Sequence, residues 1–365
     1  MSDLATSATV IDAAGRANVP VLLLSDPGVG KSSLVRGLAV AQDVPCEVVL
    51  GGSREPSDIA GLPMQTGDGV VFSPPAWAQR LATAGVGYLF LDELLNCPPA
   101  VQAVMLGVAL DRQVGDLTLP VGVKVLAGGN PPDRAADGWE LSPPLANRFC
   151  HLPFSPTVDE WLDGMTSGWV PPASRAVAAD PVRVEAVKAS VTGFIRHRPD
   201  LLHVFPRTAA QTGGAWPSRR TWAMLAAALA HVRDDDPAAR QALTFGLVGE
   251  GSGVEFLTWC AQADLPDPYA VVVDPSVMDW TARPDRVWAV LAGVVGWAAS
   301  TGTAEAWRQA WGPLLAAARA GAPDVAAAAA RPLGRCRPAS ARVPAAVRTT
   351  FAPVLAAAGL IEVAS

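Results

Sequence analysis

Short apolar runs alternate with amphipathic stretches over the first 155 residues of the chain. Each run is bounded by turn residues and is four to six residues long, which is typical of a strand buried in a sheet. The predicted strands cover residues 21–24, 47–50, 88–91, 123–127 and 148–153. Between them, residues 32–42 and 100–110 have a helical pattern. This alternation predicts an α/β fold with a five-stranded parallel sheet that is covered on both faces.

Beyond residue 155 the strand signals nearly vanish and Ala-rich helical patterns take their place. The predicted helices cover residues 220–232, 236–248, 284–299 and 304–319. Trp307 and Trp311 are spaced i, i+4, which indicates packing within a helical bundle rather than a partner surface. Residues 323–348 are rich in Ala, Pro and Arg and predict a loosely ordered connection around an Ala helix, followed by a last helix near 351–358.

These patterns predict a three-part organisation. Residues 1–155 form the α/β core, residues 156–300 form a helical domain, and residues 301–365 form a helical C-terminal extension of low complexity. Half of the 365 residues are apolar and 17% are charged, which excludes a disordered chain.

The net charge of −6 argues against a global electrostatic attraction to nucleic acid or anionic lipid. The longest apolar stretch, residues 287–299, is shorter than the ~20 residues that a membrane helix needs. The N-terminus lacks the pattern of a secretory signal, and the five isolated cysteines indicate free thiols in a reducing compartment. We therefore expect a soluble cytoplasmic protein that has no membrane partner.

Residues 25–32 read SDPGVGKS and follow the first predicted strand. They match the phosphate-loop pattern GxxxxGK[ST] except at the first position, where Ser25 replaces glycine. In such a loop the glycines let backbone N–H groups face one anion, the lysine reaches the β- and γ-phosphates, and the serine binds Mg²⁺. A Gly-rich turn before a helix is the simpler alternative. The predicted nucleotide-binding residues are Asp26, Pro27, Gly28, Val29, Gly30, Lys31, Ser32 and Ser33.

Two carboxylates end the third predicted strand. Asp92 lies sixty-one residues after Lys31 and is predicted to bind Mg²⁺ together with Ser32. Glu93 is predicted to polarise the attacking water, which favours hydrolysis over phosphate transfer by a small-molecule kinase. Asn130 ends the next strand and is either a turn residue before proline or an amide that orients this water.

Taken together, these motifs resemble the AAA+ ATPases, and within them the MoxR group. A segment at about residues 54–75 lies where that group carries an insert in its second helix. A predicted hairpin at about 111–121 precedes the strand that ends in Asn130, and residues 217–222 resemble the lid motif of the group. Residues 265–285 are also similar to MoxR-like chains. The resemblance extends over about residues 5–300.

The resemblance implies a homo-oligomeric ring, commonly a hexamer, that binds ATP and Mg²⁺ at subunit boundaries. Arg148 would be the arginine finger that reaches the γ-phosphate of the neighbouring subunit, with Arg134 as a second candidate. Arg220 would be the lid sensor acting on the nucleotide of its own chain, with Arg219 as the alternative. The chain departs from the family pattern at Ser25 and in having no polar residue directly after the second strand.

The leading hypothesis is therefore a Mg²⁺-dependent ATPase that remodels a protein partner in the manner of a chaperone. For MoxR-like ATPases the resemblance implies a partner with a von Willebrand factor A domain. A nucleotide-gated scaffold with slow hydrolysis is the alternative of a different class. A DNA-remodelling motor is a third hypothesis, although the acidic charge and the missing DNA-binding motif argue against a nucleic-acid partner.

Overall fold

The computed structural model describes residues 3–67, 69–130, 141–169, 173–263 and 265–357. The chain forms two compact units, which we call the first unit (residues 1–178 and 203–253) and the second unit (residues 179–202 and 254–365). The predicted boundaries near residues 155 and 300 group the chain differently. The difference arises because the segment 203–253 packs with the α/β core rather than with the later helices.

Nine strands and eighteen α-helices are present in the described part of the chain. The strands are β1 Val21–Leu24, β2 Cys46–Leu50, β3 Leu62–Thr66, β4 Gly69–Ser73, β5 Val86–Asp92, β6 Gln113–Val114, β7 Leu117–Thr118, β8 Gly122–Gly129 and β9 Cys150–Pro153. The helices are α1 Leu4–Arg16, α2 Lys31–Ala41, α3 Pro56–Ala60, α4 Ala76–Ala84, α5 Pro99–Asp111, α6 Pro143–Ala146, α7 Val158–Ser167, α8 Pro181–His197, α9 Ala209–Thr212, α10 Arg219–Leu229, α11 Pro237–Val248, α12 Glu250–Ala263, α13 Pro268–Val273, α14 Pro284–Thr301, α15 Ala304–Arg319, α16 Pro323–Arg335, α17 Ala345–Thr350 and α18 Ala352–Ala357.

A five-stranded parallel sheet forms the centre of the first unit, in the order β2-β5-β8-β1-β9. β1 lies between β8 and β9, with Leu24 opposite Gly129 on one side and opposite Pro153 on the other. The carboxyl ends of β1, β5 and β8 therefore meet at one edge of the sheet. The α/β fold with five parallel strands is confirmed, and the loops that carry the predicted motifs follow adjacent strands.

Two antiparallel hairpins extend from this unit, at the positions where the insert and the hairpin are predicted. The first pairs β3 with β4, and all ten of its strand residues are exposed. The second pairs β6 with β7 around the turn at Gly115 and Asp116. The two hairpins are joined, because the backbone N–H of Phe72 donates to the Asp116 carboxylate at 2.8 Å.

The second unit is entirely helical in its described residues. Trp307 and Trp311 of α15 are fully buried in its core, and the Trp307 indole donates to the Leu333 carbonyl oxygen at 2.7 Å. The two rings are perpendicular to each other, with centroids 5.5 Å apart, and their predicted packing role is confirmed. No helix in the described ranges is long and apolar enough to cross a membrane.

The segment predicted as a loose connection is more ordered than the sequence suggests. Residues Pro323–Arg335 form α16, whose alanines Ala326, Ala329 and Ala330 are buried in the core of the second unit. Alanine has the highest helix propensity, and its small side chain lets neighbouring helices approach closely. Low sequence complexity is therefore compatible with a packed helix here.

Candidate functional site

The loop between β1 and α2 turns sharply through two glycines. Gly28 and Gly30 have φ angles of +82° and +96°, a conformation that residues with a Cβ rarely adopt. α2 begins at Lys31, directly after this turn, and no side chain caps its N-terminus. Its first N–H groups and its partial positive charge are thus available to an anion. This is the backbone arrangement that the phosphate-loop motif predicts.

Lys31 is held at the centre of the loop by oxygen atoms. Its Nζ donates to the Ser25 hydroxyl and to Asn130 Oδ1, both at 2.9 Å, and lies 3.3 Å from the carbonyl oxygens of Ser25 and Asp26. Burial lowers the pKa of the Lys31 ammonium, while the carboxylates of Asp92 and Asp26 partly offset this effect. Like these two carboxylates, an anionic ligand that enters the loop favours the charged form of the lysine.

Ser25, the residue that departs from the motif, therefore has a structural role. It is buried, and its hydroxyl accepts from Lys31 while donating to the carbonyl oxygen of Asp26 at 3.1 Å. Its backbone is not in the left-handed region that would require glycine. Serine is therefore compatible with the loop and adds one acceptor for the lysine.

Two oxygen ligands suited to Mg²⁺ lie side by side in the loop. The hydroxyl of Ser32 donates to Asp92 Oδ2 at 2.7 Å, although the two residues are sixty positions apart in the sequence. Mg²⁺ prefers hard oxygen ligands and is commonly bound by one or two protein groups together with substrate phosphates. The donor set of Ser32 and Asp92 fits this ion, and the predicted magnesium site stays a prediction.

Glu93 follows Asp92 in a left-handed backbone conformation, with φ +62°. A non-glycine residue in this region costs of the order of 1–3 kcal/mol and is often found at functional sites. The turn is stabilised because the Glu93 N–H donates to Asp92 Oδ1 at 2.9 Å. A Cβ on Gly52 would lie 2.6 Å from Glu93 Oε2, so the carboxylate occupies the space that the missing side chain leaves.

These groups surround one cavity of about 290 Å³, which we call the phosphate cavity. It is lined by Pro27, Gly28, Gly30, Lys31, Ser32, Ser33, Asp92, Glu93, Gly129 and Asn130. Of the other predicted nucleotide-binding residues, Asp26 contacts Lys31 through its carbonyl oxygen, and Val29 lines an adjoining cavity. The structure thus brings the predicted loop, acidic pair and asparagine together.

Arg148 and Arg220 line a different cavity of about 350 Å³, which we call the arginine cavity and which also includes Pro20 and Asp111. Arg148 precedes β9, whose first residue pairs with Val21 at the start of β1, whereas the phosphate loop follows the end of β1. The two sites are therefore separated by the length of β1, roughly 10 Å.

A buried hydrogen bond explains why the two arginines lie together. The hydroxyl of Ser218, which caps the N-terminus of α10, donates to Asn147 Oδ1 at 2.7 Å, and the Asn147 amide donates to the Trp216 carbonyl oxygen at 3.1 Å. These contacts join the segment of Arg148 to the start of the helix that carries Arg220. In the described residues Arg148 has no carboxylate within ion-pair distance, and its buried Nε has no hydrogen-bond partner.

The structure places Arg220 apart from the phosphate cavity, and its predicted role as the lid sensor stays a prediction. The sequence places it as a sensor for the nucleotide of its own chain, but it lies beside Arg148 and lines no part of the phosphate cavity. The reason is that α10 packs with the core through α1 and the Ser218–Asn147 contact. Arg219 is exposed and lines neither cavity, and Arg134 lies outside the described residues.

Sequence reasoning overlooked two functional features. Gly52 makes room for the Glu93 carboxylate, and the Asn147–Ser218 pair positions both arginines. The sequence does contain a signal for the first, because Gly51 and Gly52 directly follow a strand next to the one that ends in Asp92. It contains none for the second, since the pair joins residues seventy-one positions apart.

Comparisons with known proteins agree with this geometry. Residues 20–149 match the family model of the AAA domain of the dynein-related subfamily. The transcriptional regulatory protein XylR of Pseudomonas putida is 33% identical over 132 residues, which is 33% of this chain and 23% of that protein. The chain thus spans about a quarter of the length of this curated relative.

Among solved structures, a candidate ATPase from Cytophaga hutchinsonii is similar over 61% of this chain and 73% of its own, with 15% identity and a TM-score of 0.38. The predicted AAA+ fold is confirmed by the sheet and the family match. The MoxR subgroup is named by neither comparison and stays a prediction.

Proposed function

We propose that this chain is a Mg²⁺-dependent ATPase that transfers the γ-phosphoryl group of ATP to water. One observation carries the proposal: a lysine, a serine–aspartate pair, a glutamate and an asparagine converge on one cavity at the N-terminus of α2. Phosphoryl transfer needs positioning and charge stabilisation more than covalent chemistry. Each of these groups either positions the reactants or stabilises the charge on the phosphates.

The roles follow from the positions. The N–H groups of the loop and the ammonium of Lys31 bind the phosphates, and Asn130, which contacts Lys31 at 2.9 Å, places an amide beside the γ-phosphate. Glu93 accepts a hydrogen bond from the attacking water and withdraws its proton. Ser32 and Asp92 would hold Mg²⁺, which would supply positive charge to neutralise the phosphates.

The reaction also needs a positive charge near the leaving phosphates, and the arginine cavity supplies it in a neighbouring copy. Arg148 and Arg220 line a cavity other than the one formed by their own phosphate loop. A guanidinium suits a phosphate oxygen because it is planar and permanently charged. We therefore infer an oligomer, a ring as the resemblance implies, in which both arginines act in trans.

The output of the cycle is mechanical. Loss of γ-phosphate contacts on hydrolysis changes the contacts of Lys31, Glu93 and the arginines, and such changes move switch segments in other NTPases. By resemblance to MoxR-like ATPases, the moving parts remodel a protein partner, and a protein with a von Willebrand factor A domain is the first partner to test. A cytoplasmic location accords with this role.

Lys31→Ala tests the proposal directly. Removing a charged donor from the phosphates is expected to weaken MgATP binding by roughly 10- to 100-fold, because hydrogen bonds to charged groups contribute about 1.5–3 kcal/mol. Calorimetry measures the affinity, and phosphate release measures turnover. Lys188→Ala, which removes an exposed lysine of the second unit, is the control and should change neither. Full ATP turnover by Lys31→Ala would contradict the proposal.

Gly52→Ala tests the position of Glu93. The new Cβ would lie 2.6 Å from Glu93 Oε2 and must displace the flexible carboxylate, while the backbone at residue 52 accepts alanine. We expect kcat to fall roughly tenfold, a part of the ~10²–10⁴ that a general base supplies, with unchanged affinity for MgATP.

Gly107→Ala is the matched control for this substitution, since a Cβ there meets nothing within 4 Å. It should leave kcat unchanged and raise helix stability slightly. Equal kcat values for Gly52→Ala and Gly107→Ala would show that the position of the Glu93 carboxylate does not limit hydrolysis.

A further inference from the structure

The thiol of Cys97 contacts the turn that carries Glu93. Cys97 is fully buried in the core of the first unit, and its Sγ donates to the carbonyl oxygen of Glu93 at 3.1 Å. Burial, together with the nearby Glu93 carboxylate, raises the pKa of the Cys97 thiol to about 11. At neutral pH the sulfur therefore keeps its proton and is a hydrogen-bond donor.

The carboxylate of Glu93 has no support from a neighbouring side chain. Among the residues that the structure describes, none donates a hydrogen bond to it. The end of β2 lies opposite Asp92, but the chain continues there with Gly51 and Gly52, which have no side chains that could donate. The direction of the carboxylate therefore depends on the backbone of its own turn.

Three hydrogen bonds fix the backbone of this turn. The N–H of Glu93 donates to Asp92 Oδ1 at 2.9 Å. The carbonyl oxygen of Glu93 accepts from the N–H of Asn96 at 2.9 Å and from the Cys97 thiol. Because the left-handed φ of Glu93 is costly for a residue with a Cβ, the surrounding contacts must maintain it. Of these three contacts, the one from Cys97 alone is made by a side chain outside the Asp92–Glu93 pair.

Cys97 is itself held in a fixed position. Its carbonyl oxygen accepts from the side-chain amide of Gln102 at 3.2 Å within the core, and two prolines follow it in the chain. A Cβ on Gly51 would lie 2.2 Å from the Cys97 Sγ, so the sulfur occupies the space that this glycine leaves. Gly51 therefore accommodates the thiol, as Gly52 accommodates the Glu93 carboxylate.

We propose that Cys97 is a positioning residue for hydrolysis, whose thiol fixes the turn of Glu93 and thereby directs the carboxylate toward the attacking water. The inference rests on the proposed function, because it takes Glu93 to be the general base. Cys97 lines no part of the phosphate cavity, so it acts through Glu93. A general base must lie within hydrogen-bond reach of the proton that it withdraws. Loosening the turn therefore lowers kcat and leaves the binding of the phosphates intact.

Two substitutions of Cys97 test this role. Cys97→Ala removes the donor, and kcat for ATP hydrolysis is expected to fall roughly threefold to tenfold, the scale of one modest hydrogen bond. Cys97→Ser keeps a donor for the Glu93 carbonyl oxygen and should retain most of kcat. Both variants should bind MgATP within about twofold of the unaltered chain, because the contacts of Lys31 and Ser32 do not involve Cys97. Phosphate release at saturating MgATP and calorimetry measure the two quantities.

The matched control is Cys46→Ala. It makes the same chemical change at a half-buried thiol in the first residue of β2, at the opposite end of that strand from Gly51. It should leave kcat unchanged.

A second comparison separates positioning from a general loosening of the core. In the Glu93→Gln variant the carboxylate that the thiol positions is already gone, so adding Cys97→Ala should change the residual turnover by less than about twofold. An equal loss with and without the Glu93 carboxylate would overturn the proposal, since the thiol would then support the fold rather than the base.

The remaining outcomes are also distinct. Turnover by Cys97→Ser that is as slow as that of Cys97→Ala would overturn the proposal, because donation by the side chain would not matter. Unchanged kcat for Cys97→Ala, with a large loss for Glu93→Gln, would remove the positioning role and leave the proposed function intact. Full turnover by Glu93→Gln would instead contradict the proposed function on which the role rests.

Discussion

Glu93→Gln is expected to lower kcat for ATP hydrolysis by ~10²–10⁴-fold, the contribution of a positioned general base. Glutamine has the same shape and still accepts a hydrogen bond from water, but it cannot take the proton. The Lys31 and Ser32 contacts do not involve the Glu93 side chain, so the affinity for MgATP should stay within about twofold. Phosphate release and calorimetry on the same preparation measure the two quantities.

The control for this substitution is Glu250→Gln. Glu250 is exposed at the start of α12 and lines none of the three cavities, so its amide should leave kcat unchanged. Equal turnover by Glu93→Gln and by the unaltered chain would favour the alternative function. Nucleotide would then assemble a scaffold, and hydrolysis would be incidental to it.

The parallel sheet could be predicted because its strands are buried on both faces. A strand such as β1 then reads as one apolar run between turn residues, and its predicted and observed bounds agree. The bounds of a strand are harder to predict where its terminal residues are polar or small. β8 extends to Gly129 although the apolar pattern ends at residue 127, and the predicted strand 148–153 begins only at Cys150.

The phosphate cavity could be predicted for a topological reason. Its loop, acidic pair and asparagine each follow a strand, and the three strands are adjacent in the sheet. Motif spacing along the chain therefore translates into proximity in space. The contacts of Ser25 with Lys31 and of Glu93 with Gly52 lay beyond this reasoning, because they depend on local side-chain packing rather than on strand order.

The arginines and Cys97 show where such reasoning stops. The position of Arg220 depends on one buried hydrogen bond between Ser218 and Asn147, two ordinary polar residues that are far apart in the sequence. The contact of Cys97 with Glu93 depends on a tight turn and on the space that Gly51 leaves for the thiol. Neither arrangement leaves a periodic pattern in the amino-acid sequence, so each becomes visible only in the tertiary structure.

The second large effect concerns Arg148. Arg148→Ala is expected to lower kcat by roughly 10³-fold, the lower end of what an arginine finger supplies, with little change in the affinity of MgATP. If Arg148 acts in a neighbouring copy, mixing this variant with Glu93→Gln should restore activity. Some sites in the mixed oligomer then combine the Glu93 of one chain with the Arg148 of the other, whereas neither variant alone has a complete site.

A second mixture decides how Arg220 acts. The structure places Arg148 and Arg220 in one cavity, so if both act in trans, a site receives both from the same neighbour. Chains with Arg148→Ala and chains with Arg220→Ala can then never form a complete site together, and their mixture should stay as inactive as either variant. If Arg220 instead serves the nucleotide of its own chain, the same mixture gains activity, because one chain supplies Arg220 and its neighbour supplies Arg148. Restored turnover in this mixture would thus contradict the shared placement, and its absence, with recovery in the Glu93→Gln mixture, would assign both arginines to the neighbour.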